Sequence, residues 1–371
     1  MWVGLGWTMA TNGPDAVSAG AAPAMPEELD TRHLLRRLVA LAVLVALVAA
    51  AVGSLPGLGT LRHRFAQADL AVFGLIGLLK LASCLSNVVV FRAVFCPRMS
   101  WRFSAELALA EQATNVLVPT GGAGGLALGV WALRQGGMPT EHIARRSIAF
   151  FVLTSIPNFA FVAVLGPLLL TGLFAGHIPV GLTLVLSATA WVAAALVALL
   201  PRLLARIDPG HGAGVGRLRS VAVTLNKGIR DTGQLLRSGQ WQAIFGAVGY
   251  LSFDIAALIA AFAAFGGGMP LAPLVFAYVI GQLGGLIPLP AGIGGTDGGL
   301  IGALVLYGSP LSQAAAAVLA YRLFQLGVPA VLGAVAFIRL RRTLSRSSTP
   351  AAACEPLGDA VPIRTVQSIA A

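Results

Sequence analysis

Long uncharged runs recur along the chain, and arginines bound most of them. Apolar runs at about 38–55, 70–90, 147–170, 180–200, 241–265 and 314–340 are long enough for a bilayer, which needs about 20 apolar residues per helix. They predict about six full transmembrane helices. Two further apolar stretches are interrupted. The first is a helical stretch at 103–118, broken by PTGGAGG and resumed at about 126–133. The second occupies about 271–306 and is broken by IPLPAGIGGTDGG. Proline lacks the backbone N–H and glycine carries a high backbone entropy cost, so no continuous helix runs through either. Each arm is too short to cross alone, so each pair is expected to form a broken, re-entrant hairpin. Freed backbone groups in hydrocarbon need partners, which places such breaks inside protein or beside a water-filled cavity.

The two breaks are related. Leu117-Val118-Pro119 answers Leu286-Ile287-Pro288, Pro139 answers Pro310, and Ile156-Pro157 answers Val328-Pro329, at an offset near 170 residues. Interrupted apolar segments at matching places in two halves point to a membrane transport site. The expected fold is therefore all-α and polytopic, about six spans plus two oppositely oriented hairpins forming an inverted repeat. Its halves fall at about 70–200 and 241–342, within a membrane domain at 32–345. Residues 1–31 and 346–371, rich in small and polar residues, are expected to be disordered tails.

Composition agrees: 57% of the 371 residues are hydrophobic and 11% charged. The net charge of +11 does not mark a nucleic-acid binder, because the arginines flank apolar spans rather than line one aromatic-rich face. Most of them fall on one side if both termini and the 92–102, 134–146 and 201–240 segments are cytoplasmic. Only Arg62 and Arg64 are then outside. A multi-pass protein of the plasma membrane is expected, with the first hairpin entering from the cytoplasm and the second from outside. Within 201–240, RLRSVAVTLNKGIRDTGQLLRSG reads as an amphipathic surface helix or as a solvated basic loop. The three cysteines lack metal-ligand spacing, and no HExxH, P-loop or GxSxG sequence is present, so no metal, cofactor or catalytic set is expected.

Charges at membrane depth are costly and mark function or pairing. Asp297 and Arg322 flank the second break and are expected to form a salt bridge or to hold a zwitterionic or anionic headgroup. Arginine suits a phosphate because its planar fork binds two oxygens. Pro288, Pro290, Gly292, Gly294 and Gly295 shape that break. Asn115, Pro119, Gly121, Gly122, Gly124 and Gly125 shape the first, where exposed N–H groups can face an anion or small residues can let helices pack closely. Lys80 and Asp254, both near mid-span, are candidates for coupling or for pairing with each other. Glu106 and Glu111 read as proton-coupling or headgroup-binding groups, or more simply as a solvated interfacial face. Gln325 is expected to relieve the backbone freed by Pro329.

These residues resemble a known family. NVLVPTGGAGG, ARRSIAFFVLTSIPN, LIPLPAGIGGTDGGL and AYRLFQLGVP look like the membrane domain of lysylphosphatidylglycerol synthase, over about residues 36–342. The resemblance implies a flippase-like protein that moves a polar-headed lipid between leaflets. Relatives often carry an acidic residue and an arginine after the first glycines, where this chain has Gly125-Leu126-Ala127-Leu128, and Glu where it has Asp297. Full-length synthases add a soluble aminoacyl-transferase domain. About 25 residues follow Arg346 here, so synthase activity is not expected. The leading expectation is translocation or binding of a membrane lipid, without enzymatic chemistry. The alternatives are a membrane partner presenting a lipid-linked acceptor to a separate glycosyl- or aminoacyl-transferase, and an ion-coupled small-solute transporter.

Overall fold

The computed structural model describes residues 70–118, 123–171, 179–206, 213–284 and 294–346, with short pieces at 36–40 and 42–43 and single residues at 63 and 292. Most of the span expected at 38–55, and both expected tails, lie outside the described residues. All regular structure among the described residues is helical. The helices are α1 (Leu70–Phe95), α2 (Trp101–Leu117), α3 (Ala123–Gln135), α4 (Thr140–Leu170) and α5 (Val180–Arg206). They continue with α6 (Ala213–Arg237), α7 (Trp241–Ala264), α8 (Leu271–Gly284), α9 (Gly295–Leu306) and α10 (Leu311–Arg346). Five of them, α1, α4, α5, α7 and α10, are long and apolar enough to cross a membrane.

Helices α1 to α4 and α7 to α10 repeat one pattern: long, short, short, long. Their starts at 70, 101, 123 and 140 are answered at 241, 271, 295 and 311, offsets of 170 to 172 residues. The counterparts α1 and α7 pack side by side. Lys80 meets Asp254, the Ser83 hydroxyl donates to the Tyr250 carbonyl at 3.0 Å, and Gly246 lies against Ser86 and Val90. Residue numbers rise on one helix as they fall on the other, so the pair is antiparallel. Gly246 permits the approach: a Cβ there would lie 2.8 Å from the Val90 nitrogen.

Helix α10 serves both halves. Its first half shares a core with α7, α8 and α9, through Ala314, Ala317, Val318 and Tyr321. Its second half shares another with α2 and α3, through Ala330, Phe337 and Leu340. The Thr343 hydroxyl donates to Glu106 on α2 at 2.7 Å, and Gly333 abuts Leu109 and Ala113, so α2 runs antiparallel to α10. Leu117 and Val118, where α2 ends, share the core of Ala330. The first break therefore reaches the middle of α10.

The segment between the halves is a helix, α6, and not a solvated loop. It is tied to the first turns of α4. Arg145 grips both oxygens of Asp231 at 2.9 and 3.1 Å, and Lys227 donates to Glu141 at 2.8 Å. Gly228 lies against Ile148 and the Arg145 carbonyl, where a side chain would collide. These partners also explain why α4 begins at Thr140, seven residues before the expected span. Large apolar side chains such as Leu78, Phe151, Trp191 and Phe245 lie on the outer surface, as a lipid-facing bundle requires.

Candidate functional site

The second break is built by close backbone contact. Helix α8 ends at Gly284, and a Cβ there would sit 2.2 Å from the Gly295 carbonyl oxygen. Only glycine lets the two arms touch. Gly294 takes φ 91°, a conformation that glycine adopts without strain, and α9 starts beside it. In the first turn of α9, Asp297 does two things. One oxygen accepts from the Gly294 N–H at 3.1 Å, which occupies an otherwise orphan donor at a helix start. The other accepts from Arg322 Nε at 2.5 Å. The carboxylate thus gains from the positive end of the helix as well as from the guanidinium.

Arg322 projects from the middle of α10. Its Nη1 donates to Gln325 Oε1 at 2.9 Å, so Gln325 orients the guanidinium. The reason is helical spacing: three residues on, Gln325 lies on the face of Arg322. The Arg322 side chain is 9% exposed and that of Asp297 23%. The pair is sheltered yet open on the carboxylate side. The structure brings Gly292, Gly294, Gly295, Asp297, Arg322 and Gln325 together at one break. Pro288 and Pro290 lie outside the described residues.

The first break has a different chemistry. Asn115 Oδ1 accepts from the Gly125 N–H at 2.8 Å, across the gap between α2 and α3. A Cβ on Gly125 would lie 2.4 Å from that oxygen, so the glycine is needed for the clasp. Gly124 is buried beside it. One N–H that was expected to face an anion is thus held by the chain itself. Pro119, Gly121 and Gly122 lie outside the described residues. Glu111 is half-buried, its carboxylate against the α3 backbone at Gly129.

Glu106 corrects the expectation of a solvated face. It is 5% exposed and accepts from Arg102 at 3.0 Å and from Thr343 at 2.7 Å. Helix α10 runs past its expected end and covers it. Thr343 is some 30 Å along α10 from Arg322 at 1.5 Å per residue, so Glu106 is remote from the pair. The first break is closer: Ala330 is about 12 Å from Arg322 by the same rise.

Beside Arg322 lies a second polar cluster, buried at Lys80, Asp254, Tyr278 and Tyr321 and exposed at Gln282. Lys80 and Asp254, candidates for pairing, form an ion pair, and both are buried. The cluster is larger than the pair. Tyr278 and Tyr321 each donate to the other Asp254 oxygen at 2.7 Å, and Gln282 donates to the Tyr278 hydroxyl at 2.5 Å. The two tyrosines and Gln282 were not singled out in the sequence. A signal existed: the chain has four tyrosines, and a buried tyrosine hydroxyl needs a partner. Tyr321 joins the two clusters, since Arg322 is the next residue of α10.

The model of the lysylphosphatidylglycerol synthase TM region matches residues 37–333. The chain belongs to this family. No curated protein matches it. The match spans both breaks, the Lys80–Asp254 cluster and Arg322, so the family places the protein among integral membrane proteins related to lipid handling. It concerns the membrane region of those synthases and does not include a catalytic domain.

Proposed function

We propose that the protein binds a polar-headed phospholipid at the second break and carries its headgroup between leaflets. The observation that carries the reading is the Arg322–Asp297 pair. A guanidinium held at a helix break, bonded to a carboxylate that is partly open, can exchange that carboxylate for a lipid phosphate. The phosphate would gain the guanidinium in place of the single Nε contact that Asp297 makes, and the same helix N-terminus. Support also comes from the family and from the two breaks that reach the middle of α10 from separate hairpins. The antiparallel packing of α1 on α7 favours an inverted repeat, with the site near the bilayer midplane.

The reading is of a carrier and not of an enzyme, supported by a family match confined to a membrane region. The protein is taken to act in the plasma membrane with both termini cytoplasmic, because Arg339, Arg341 and Arg342 end α10 and the basic α6 joins the halves. The test is native mass spectrometry of the purified protein. Wild type should retain an anionic or zwitterionic phospholipid, and Arg322→Ala should lose most of it. Equal retention by both would overturn the site. Retention of a lipid-linked sugar or aminoacyl acceptor would favour a partner of a separate transferase.

A further inference from the structure

Seven buried side-chain nitrogen or oxygen atoms among the described residues lack a hydrogen-bond partner, and four of them gather where α4 meets α6. Arg145 Nε, Arg146 Nε and the Ser147 hydroxyl are consecutive on α4. Asn226 Oδ1 lies on the turn of α6 that carries Lys227 and Gly228. A buried polar atom left unpaired is unfavourable, so this concentration points to a partner from outside the chain. Further along α4, Thr154 and Ser155 return their hydroxyls to carbonyls four residues back. Ser147 makes no such bond.

Arg146 sets the chemistry. Water can serve a hydroxyl or an amide, but it does not offset a charge. The acids nearby are already engaged: both Asp231 oxygens accept from Arg145, and Glu141 accepts from Lys227. Arg146 is half-buried beside Asp231 and has no acceptor of its own. A sheltered guanidinium without an acceptor is unfavourable, and its planar fork fits two oxygens of a phosphate. Arg230, exposed on α6 next to Asp231, adds positive charge to the junction.

The level of Arg146 on α4 says what presents the phosphate. The apolar run of α4 starts at about 147, so Arg146 stands at the edge of the hydrocarbon. One turn earlier, His142 Nε2 lies 3.4 Å from the Phe95 carbonyl at the end of α1. Helix α2 begins shortly after with the exposed Trp101, whose ring Arg92 covers at 4.4 Å. Arginines and exposed tryptophans at span ends mark the depth of lipid headgroups. We infer that the α4–α6 junction is a second lipid site, separate from Arg322: Arg146 takes the phosphate of an anionic phospholipid from the leaflet beside α6. Basic pockets between membrane helices suit such headgroups. The lipid held there braces the connecting helix against the first half.

The test is hydrogen–deuterium exchange of the full chain in detergent, titrated with short-chain phosphatidylglycerol. Exchange should slow in 140–150 and in α6. In Arg146→Gln the lipid concentration needed should rise about tenfold, as for the loss of one charged hydrogen bond. Arg322→Ala, which removes the other proposed site, should still show the protection. Phosphatidylcholine of equal chain length, and inorganic phosphate, should each have little effect at the same concentration. No protection of these segments in wild type, equal protection of Arg146→Gln, or loss of protection in folded Arg322→Ala overturns the inference. An equal effect of phosphatidylcholine would remove the anionic preference, and an equal effect of inorganic phosphate would assign the site to a free anion; either overturns it. If Arg146→Gln does not fold, wild type decides: protection by phosphatidylglycerol alone of the three is expected, and any other pattern overturns the inference.

Discussion

The Asp297 side chain serves a helix start and a guanidinium at once, so its removal has two costs. Taking one partner from a buried ion pair costs roughly 3–5 kcal/mol in soluble proteins. The Arg322–Asp297 pair is partly open on the carboxylate side, so a smaller loss, about 1–3 kcal/mol, is expected for Asp297→Asn or Arg322→Ala. The double variant should recover part of it, measured by thermal unfolding in detergent. Additive losses would show that the two side chains do not act as a pair. Glycines give a second residue-scale test. A Cβ on Gly333 would meet the Leu109 carbonyl at 2.2 Å and the Ala113 Cβ at 2.3 Å. Gly333→Ala should destabilise by about 1–3 kcal/mol, because backbone blocks the space. Gly302→Ala, with nothing within 4 Å, should be neutral or stabilising by up to about 1 kcal/mol. Equal behaviour of the two variants would contradict the α2–α10 packing.

Among the elements, α6 is tied to α4 by two ion pairs, the close approach at Gly228, and Leu235 in the core beside Ala149 and Leu153. Asp231→Asn leaves Arg145 without its bidentate partner, at about 1–3 kcal/mol. The expected readout is faster tryptic cleavage within α6 with the rest of the fold unchanged; unaltered cleavage would show that the clasp does not hold the helix. The helices themselves were legible in the sequence, because run length and Pro/Gly punctuation are local signals. The described helices from α1 onward start within about seven residues of the expected apolar runs. Partners were less legible. Lys80 with Asp254, and Asp297 with Arg322, could be matched because few charges lie within apolar runs and opposite signs must meet. Glu106 could not, since its cover comes from Thr343, 237 residues away. The tyrosines on Asp254 were hidden for the same reason: their role exists only once four helices meet.

At the scale of the whole molecule, the repeated order of α1–α4 and α7–α10 and the antiparallel α1–α7 contact support two halves inserted in opposite senses. On the topology proposed from the arginine distribution, α6 and both chain ends are cytoplasmic. Single cysteines placed in α6 of a cysteine-free variant should resist an impermeant thiol reagent in intact cells and react after permeabilisation. Ready labelling in intact cells would reverse the orientation. The central claim, that Arg322 handles a lipid headgroup during transfer, is tested most directly by reconstitution. Proteoliposomes carrying a labelled anionic phospholipid report leaflet exchange through quenching of the outer label. Wild type should speed the exchange well above protein-free vesicles, and folded Arg322→Ala should fall back towards that background. Exchange by Arg322→Ala at the wild-type rate, or none by wild type, would contradict the account.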